Sequence, residues 1–151
     1  MPSPSPSYHT ISTPTDNSLP ASLLTFFQRL YHSSDTPSQH EEFANCFTKD
    51  AVIVFASSRY EGREDILTMY HSKWVPLSSL THSSLKLFPF GKITETGAEE
   101  AEVMLYGTAE YGFKAGGSLV KEFAVRAELV KEEGDWKMRL YQVYLDMGEK
   151  E

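Results

Sequence analysis

Gln142, Tyr144 and Asp146 stand two residues apart at the end of GDWKMRLYQVYLD, behind Trp136, Met138 and Leu140 in the same alternation. Residues two apart on a strand share a face, so this segment carries a row that starts apolar and ends polar. Polar groups on an inward row are costly unless something uses them, and an apolar lining with a few convergent polar groups is what a small-molecule cavity looks like. A carboxylate held there has its pKa raised by burial and can serve as a general base, which makes Asp146 the first candidate for moving a proton. Tyr144 and Gln142 can orient an oxygenated substrate or hydrogen-bond a developing oxyanion. His71 is the second proton-moving candidate. It follows Tyr70 on a helical segment whose Trp74, one turn on, shares the face that must lie against a sheet.

Other reactive residue types lack the surroundings their chemistry needs. His9, His32 and His40 have no partners at ligand spacing, and no metal site is expected. Ser57–Ser58 and Ser83–Ser84 lie in no nucleophile elbow. Cys46, between Phe43 and Phe47, reads as a buried thiol. The glycines are turn glycines with no phosphate-cradling pattern, and no cofactor is expected.

The elements that must position these residues follow from periodicity. Leu23, Leu24, Phe27, Leu30 and Tyr31 recur at helical spacing over about residues 19–33, with Ser18 as N-cap and Pro20 in the first turn. TPSQ predicts a capping box opening a second helix that carries Phe43, Cys46 and Phe47. AVIVFAS is short and β-branched, a strand. Gly62 ends it, and REDILTMYHSKW forms a third helix closed by Pro76. The rest of the chain is strand, divided at Gly97, Gly116–Gly117 and Gly134–Asp135. Three helices with one early strand, then a long antiparallel meander, define an α+β layout.

Two tight turns set the expected register. If AGGS closes one hairpin, Tyr111 faces Glu122. If EEGD closes the next, Glu128 faces Arg139. The inner face then holds Met104, Tyr106, Thr108, Glu110, Phe123, Val125, Ala127, Leu129 and the row from Trp136 to Asp146. The substrate-binding set on that face is Met104, Tyr106, Thr108, Phe123, Gln142 and Tyr144, with Trp74 from the third helix. Glu122, Arg126 and Tyr141 fall outside. A slip of one residue in either hairpin reverses the assignment for a strand.

Of 151 residues, 40% are hydrophobic and the net charge is −7, with one cysteine. One domain with a sizeable core is expected, without the basic surface that nucleic acid or an anionic membrane would need. A lone cysteine and the lack of a secretory pattern or membrane-spanning run point to the cytoplasm. Pro, Ser and Thr dominate MPSPSPSYHTISTPTDNS, so residues 1–17 are expected to be a flexible tail and residues 18–148 the domain.

EEFANCFTKDAVIVF, YEGREDILTMY and GDWKMRLYQVYLD, together with the element order over about residues 19–147, resemble the NTF2-like superfamily and its SnoaL-like small-molecule branch. The resemblance implies a cone-shaped α+β barrel, a strongly curved antiparallel sheet wrapped around three N-terminal helices. A histidine at the start of the first long strand is common among similar proteins, so His82 joins the substrate-binding candidates. Its parity with Leu85 and Leu87 points it outward unless a bulge intervenes. The resemblance also implies a homodimer through the outer sheet face, where Val103, Leu105, Ala109, Tyr111 and Val143 are expected. Functions in the superfamily divide into two classes. One is a cofactor-independent isomerase, dehydratase or cyclase acting on a hydrophobic, oxygenated, polyketide- or terpenoid-like substrate. The other is a non-catalytic module that binds a ligand or only dimerises.

Overall fold

The computed structural model describes residues 9–147. Its elements run β1 (Ile11–Ser12), α1 (Ala21–Ser34), α2 (His40–Ala44), β2 (Phe47–Phe55), β3 (Ser58–Glu61), α3 (Gly62–Trp74), β4 (Leu77–Pro89), β5 (Glu100–Phe113), β6 (Ser118–Glu132) and β7 (Asp135–Leu145). The strands form one curled, unclosed sheet in the order β1-β4-β5-β6-β7-β2-β3. This is the α+β architecture the resemblance implied.

Helix α1 fills the concave side, burying Leu23, Phe26, Phe27, Leu30 and Tyr31 against the sheet. Its start is tied to β7 by Trp136 Nε1, which donates to Ser22 Oγ at 3.0 Å. Pro20 occupies the N-cap position, where a missing N–H costs nothing. The expected capping box at Thr36 does not form. Thr36 Oγ1 instead donates back to His32 O at 2.7 Å, continuing the end of α1. Helix α3 buries Ile66, Tyr70 and Trp74. The Tyr70 hydroxyl bonds Ser33 O at 2.9 Å and also the Thr36 carbonyl, fixing α3 to the C-terminal end of α1.

Three sheet features overturn the expected register. The first is the β5–β6 hairpin. Tyr111 pairs with Leu119 and Gly107 with Phe123, an odd offset from the expected pairing that reverses β5. The purely apolar row Ala101, Val103, Leu105, Ala109 goes into the core, while Met104 and Tyr106 are 42% and 45% exposed. Burying that row outweighs the two-residue turn that AGGS could have made. The second is a bulge in β7. Leu129 pairs with Met138 but Glu128 with Leu140, so Arg139 is the extra residue. Trp136 and Met138 point in, and beyond the bulge Tyr141 and Val143 do. Gln142, Tyr144 and Asp146 therefore leave the inner face. Strand β6 is as expected, with Phe123, Val125, Ala127 and Leu129 buried.

The third feature is a bulge in β4 between Ser83 and Lys86, with Ser84 at φ +53°. It lets Leu80 and His82 face inward on one side of it and Leu85 and Leu87 on the other. Gly107 permits the bend. A Cβ there would lie 2.6 Å from Leu85 Cδ2 and 2.7 Å from the Ser83 carbonyl.

Part of the stretch expected to be a tail is structured. Ile11 pairs in parallel with Leu85 and is buried in the core; residues 1–8 lie outside the described residues. Burying one isoleucine is worth about 2 kcal/mol. Deleting residues 1–17 is therefore expected to lower the melting temperature by about 4–8 °C, measured by circular dichroism. An unchanged midpoint would show that β1 contributes nothing.

Candidate functional site

Inside the curl lies a cavity of about 440 Å³, walled by Phe43, Ile53, Leu80, Ala109, Tyr111, Phe123, Tyr141 and Val143 among others, with His82, Ser34 and Lys73 as its main polar groups. That volume suits a small hydrophobic ligand.

The polar groups are held by the C-terminal end of α1. Asp35 is its C-cap residue, and its backbone N–H bonds Tyr31 O at 2.9 Å. Asp35 Oδ1 lies 2.5 Å from His82 Nδ1. Its Oδ2 accepts the His82 backbone N–H at 2.8 Å and sits 2.7 Å from His9 Nε2. Burial pushes this carboxyl upward, but the hydrogen bonds from His82 and His9 and the charge interaction with His82 outweigh it, lowering it from 3.8 to about 2. The carboxylate is thus ionised at any ordinary pH. An ionised carboxylate can only accept, so it accepts a hydrogen bond from His82 Nδ1, and Nε2 is the ring nitrogen turned away from it. The His82 ring is packed 4.8 Å from Tyr31 and edge-on to Phe123 at 5.2 Å, which fixes its plane.

Two further groups complete the wall. Tyr31 and Tyr141 share a hydroxyl–hydroxyl bond of 2.9 Å, and burial pushes both phenols well above their ordinary range. Lys73 Nζ donates to Ser34 O at 3.0 Å and to Ser34 Oγ at 3.1 Å.

Of the residues expected at the site, His82 and Phe123 line the cavity. Met104, Tyr106, Thr108, Gln142 and Tyr144 do not; the reversed β5 and the β7 bulge put them on the outer side of the sheet. Tyr106, Thr108 and Tyr144 there border a separate shallow groove. Asp146 is an exposed residue just beyond β7, its carbonyl accepting Lys121 Nζ at 2.6 Å. His71 is exposed on α3 with its ring 4.8 Å from that of His40. Trp74 is buried but is not part of the cavity wall. Expected to be outward, Tyr111, Ala109 and Val143 line the cavity instead. Cys46 is buried as expected, its thiol pushed up by burial.

Asp35, His9, Lys73 and Tyr141 were not anticipated. Tyr31 and Asp35 stand one helical turn apart at the end of the first amphipathic pattern. Ser83–Ser84 inside an apolar strand marks a place where pairing can bulge. Those are the two local signals that point toward the site.

The curled sheet over three helices, with an apolar cavity inside the curl, is an NTF2-like fold. The chain matches the SnoaL-like domain over residues 22–142 and belongs to that family. Similar solved structures include a proposed aromatic ring hydroxylase from Novosphingobium aromaticivorans, with TM-score 0.72 and 20% identity over 89% of this chain and 92% of that one. A proposed scytalone dehydratase from the same organism superposes with TM-score 0.70 and 16% identity, over 84% of this chain and 83% of the other. Hexachlorocyclohexane dehydrochlorinase LinA-type3 from Novosphingobium barchaimii gives 0.67 and 15%, over 83% and 85%. No curated protein matches the chain.

Proposed function

We propose that this protein is a cofactor-independent enzyme that moves a proton on a hydrophobic, oxygenated small molecule, with His82 as the base and Asp35 holding it. The observation that carries this reading is the Asp35–His82 contact of 2.5 Å at the wall of a mostly apolar cavity. His82 Nε2 takes a proton from a carbon of the bound ligand, and the electron pair passes into a neighbouring double bond or expels a leaving group. Isomerisation, dehydration and cyclisation all begin this way. Two of the similar structures carry names, scytalone dehydratase and dehydrochlorinase, that denote eliminations, which supports the same reading. The test is deuterium wash-in: small aromatic ketones with acidic α-hydrogens are incubated with the protein in D₂O and followed by proton NMR. Catalysed exchange is expected. Ligands retained by the protein without any exchange would favour the non-catalytic binding module.

The homodimer expected through the outer sheet face would use a different set of residues. Phe88, Met104, Tyr106 and Tyr144 are each 42–46% exposed there, with the Phe88 and Tyr106 rings stacked at 5.7 Å. Such an apolar group is unusual on a monomer. Sedimentation at micromolar concentration should give about twice the monomer mass, and Tyr106→Glu should shift it toward monomer. A monomer at high concentration would exclude this interface.

A further inference from the structure

The cavity wall contains two lysines and no carboxylate, in a protein whose net charge is −7. Asp35 stands behind His82 rather than in the wall. Of the two lysines, Lys121 lies toward the exposed end of β7 and gives its ammonium to the Asp146 carbonyl. Lys73 is different. Its ammonium is enclosed by three rings, with Nζ 4.8 Å from the centre of Tyr70, 5.4 Å from Phe43 and 5.8 Å from Trp74.

Its two hydrogen bonds both go to Ser34, at the C-terminal end of α1, where the helix carbonyls favour a cation. Among the described residues no carboxylate lies within 4.0 Å of it in an ion pair. An ammonium has three N–H groups, so one remains beyond the two that Ser34 accepts. A desolvated cation normally has an anion beside it. Burial lowers the Lys73 ammonium from 10.5 to about 8, against the opposing influence of Asp35, so it is still mostly charged at neutral pH.

Ser34 and Asp35 are consecutive. The first holds the lysine and the second the imidazole, so one turn of backbone fixes both groups on the same cavity. We propose that Lys73 is the oxyanion subsite of this cavity, and that its ligand is an apolar molecule with a single acidic oxygen, enolate or phenolate in type, seated on the third N–H of Lys73. This deepens the reading above and rests on it only for the cavity being the ligand site. In proton abstraction next to a carbonyl, the negative charge left on the oxygen would fall to Lys73 while His82 keeps the proton.

The test uses 4-nitrophenol, whose phenolate is distinguished from the phenol by its visible absorbance, with 4-nitroanisole as the uncharged analogue of similar shape. The wild-type protein should bind the phenolate, lower the probe's apparent pKa, and prefer it to the anisole at least tenfold. Lys73→Met should lose that preference and the pKa shift, while Lys73→Arg should retain part of both. Methionine keeps the apolar stem of this half-buried side chain, so a folded variant is expected. His82→Gln should keep the bound phenolate while losing deuterium exchange, which separates a failure of this subsite from a failure of the proposed reaction. The proposal is overturned if the wild type does not bind the probe, binds it as the neutral phenol, or shows no preference over the anisole. It is overturned equally if Lys73→Met binds the phenolate as tightly as the wild type.

Discussion

His82→Gln is expected to reduce catalysed deuterium exchange by about 10²–10⁴-fold, the usual worth of a positioned general base. Glutamine keeps an amide N–H that can reach Asp35, and the backbone bond from residue 82 to Asp35 is unaffected, so folding should survive. The loss should appear in kcat and kcat/KM alike, because the missing interaction exists only while the proton is moving. A variant within threefold of the wild type would remove His82 as the base and with it the proposed mechanism. The orientation of the ring explains why the effect should be this large. Asp35 occupies Nδ1 at 2.5 Å, and Tyr31 and Phe123 flank the ring, so the reactive nitrogen is set before any ligand arrives.

Asp35→Ala is expected to cost stability more than any other single change at the site, about 3–5 kcal/mol. One carboxylate accepts three donors: His82 Nδ1, the His82 backbone N–H and His9 Nε2. Removing it leaves all three without an acceptor in a largely dry place, and it also frees the N-terminal segment that His9 anchors. Acid should reveal the same interaction in the wild type. The folded-state pKa is lowered from 3.8 to about 2. The carboxylate therefore contributes its stabilisation in full above about pH 4, and loses it as pH falls through 2. The shift corresponds to about 2 kcal/mol. Denaturant unfolding of the wild type between pH 5 and 2 should show that loss, and Asp35→Asn, which cannot ionise, should show a shallower slope. Equal slopes would mean that the carboxylate is not held as described.

Tyr144, Tyr106 and Gln142 were expected inside and stand outside; Tyr141, their neighbour, was expected outside and lines the cavity. A strand has a side-chain period of two, so one bulge at Arg139 or one odd offset in the β5–β6 hairpin exchanges faces for every residue beyond it. Nothing in a single strand's own alternation records such a shift, because the bulge is set by pairing with another strand. His82 is the converse case. Its parity with Leu85 pointed outward, and the bulge at Ser84, opposite the side-chain-free Gly107, turns it in.

What the sequence by itself determined is the order and kind of the elements. The helical spacing of Leu23, Phe27 and Leu30, the β-branched run at AVIVF and the long alternating strands after Pro76 express local preferences and one-sided burial. Those are properties of neighbouring residues, and they sufficed for the α+β layout; the curl of the sheet followed only from the family resemblance. The site was decided by tertiary structure. His9, Asp35, Lys73, His82 and Tyr141 come from five separate stretches of chain. Each is ordinary in its local setting: a histidine in a Pro/Ser-rich opening, an aspartate after a helix, a lysine on a mostly polar helix. They acquire their chemistry only when α1 ends inside the curl of the sheet. There a carboxylate is desolvated beside two imidazoles, and a lysine beside a helix terminus instead of water.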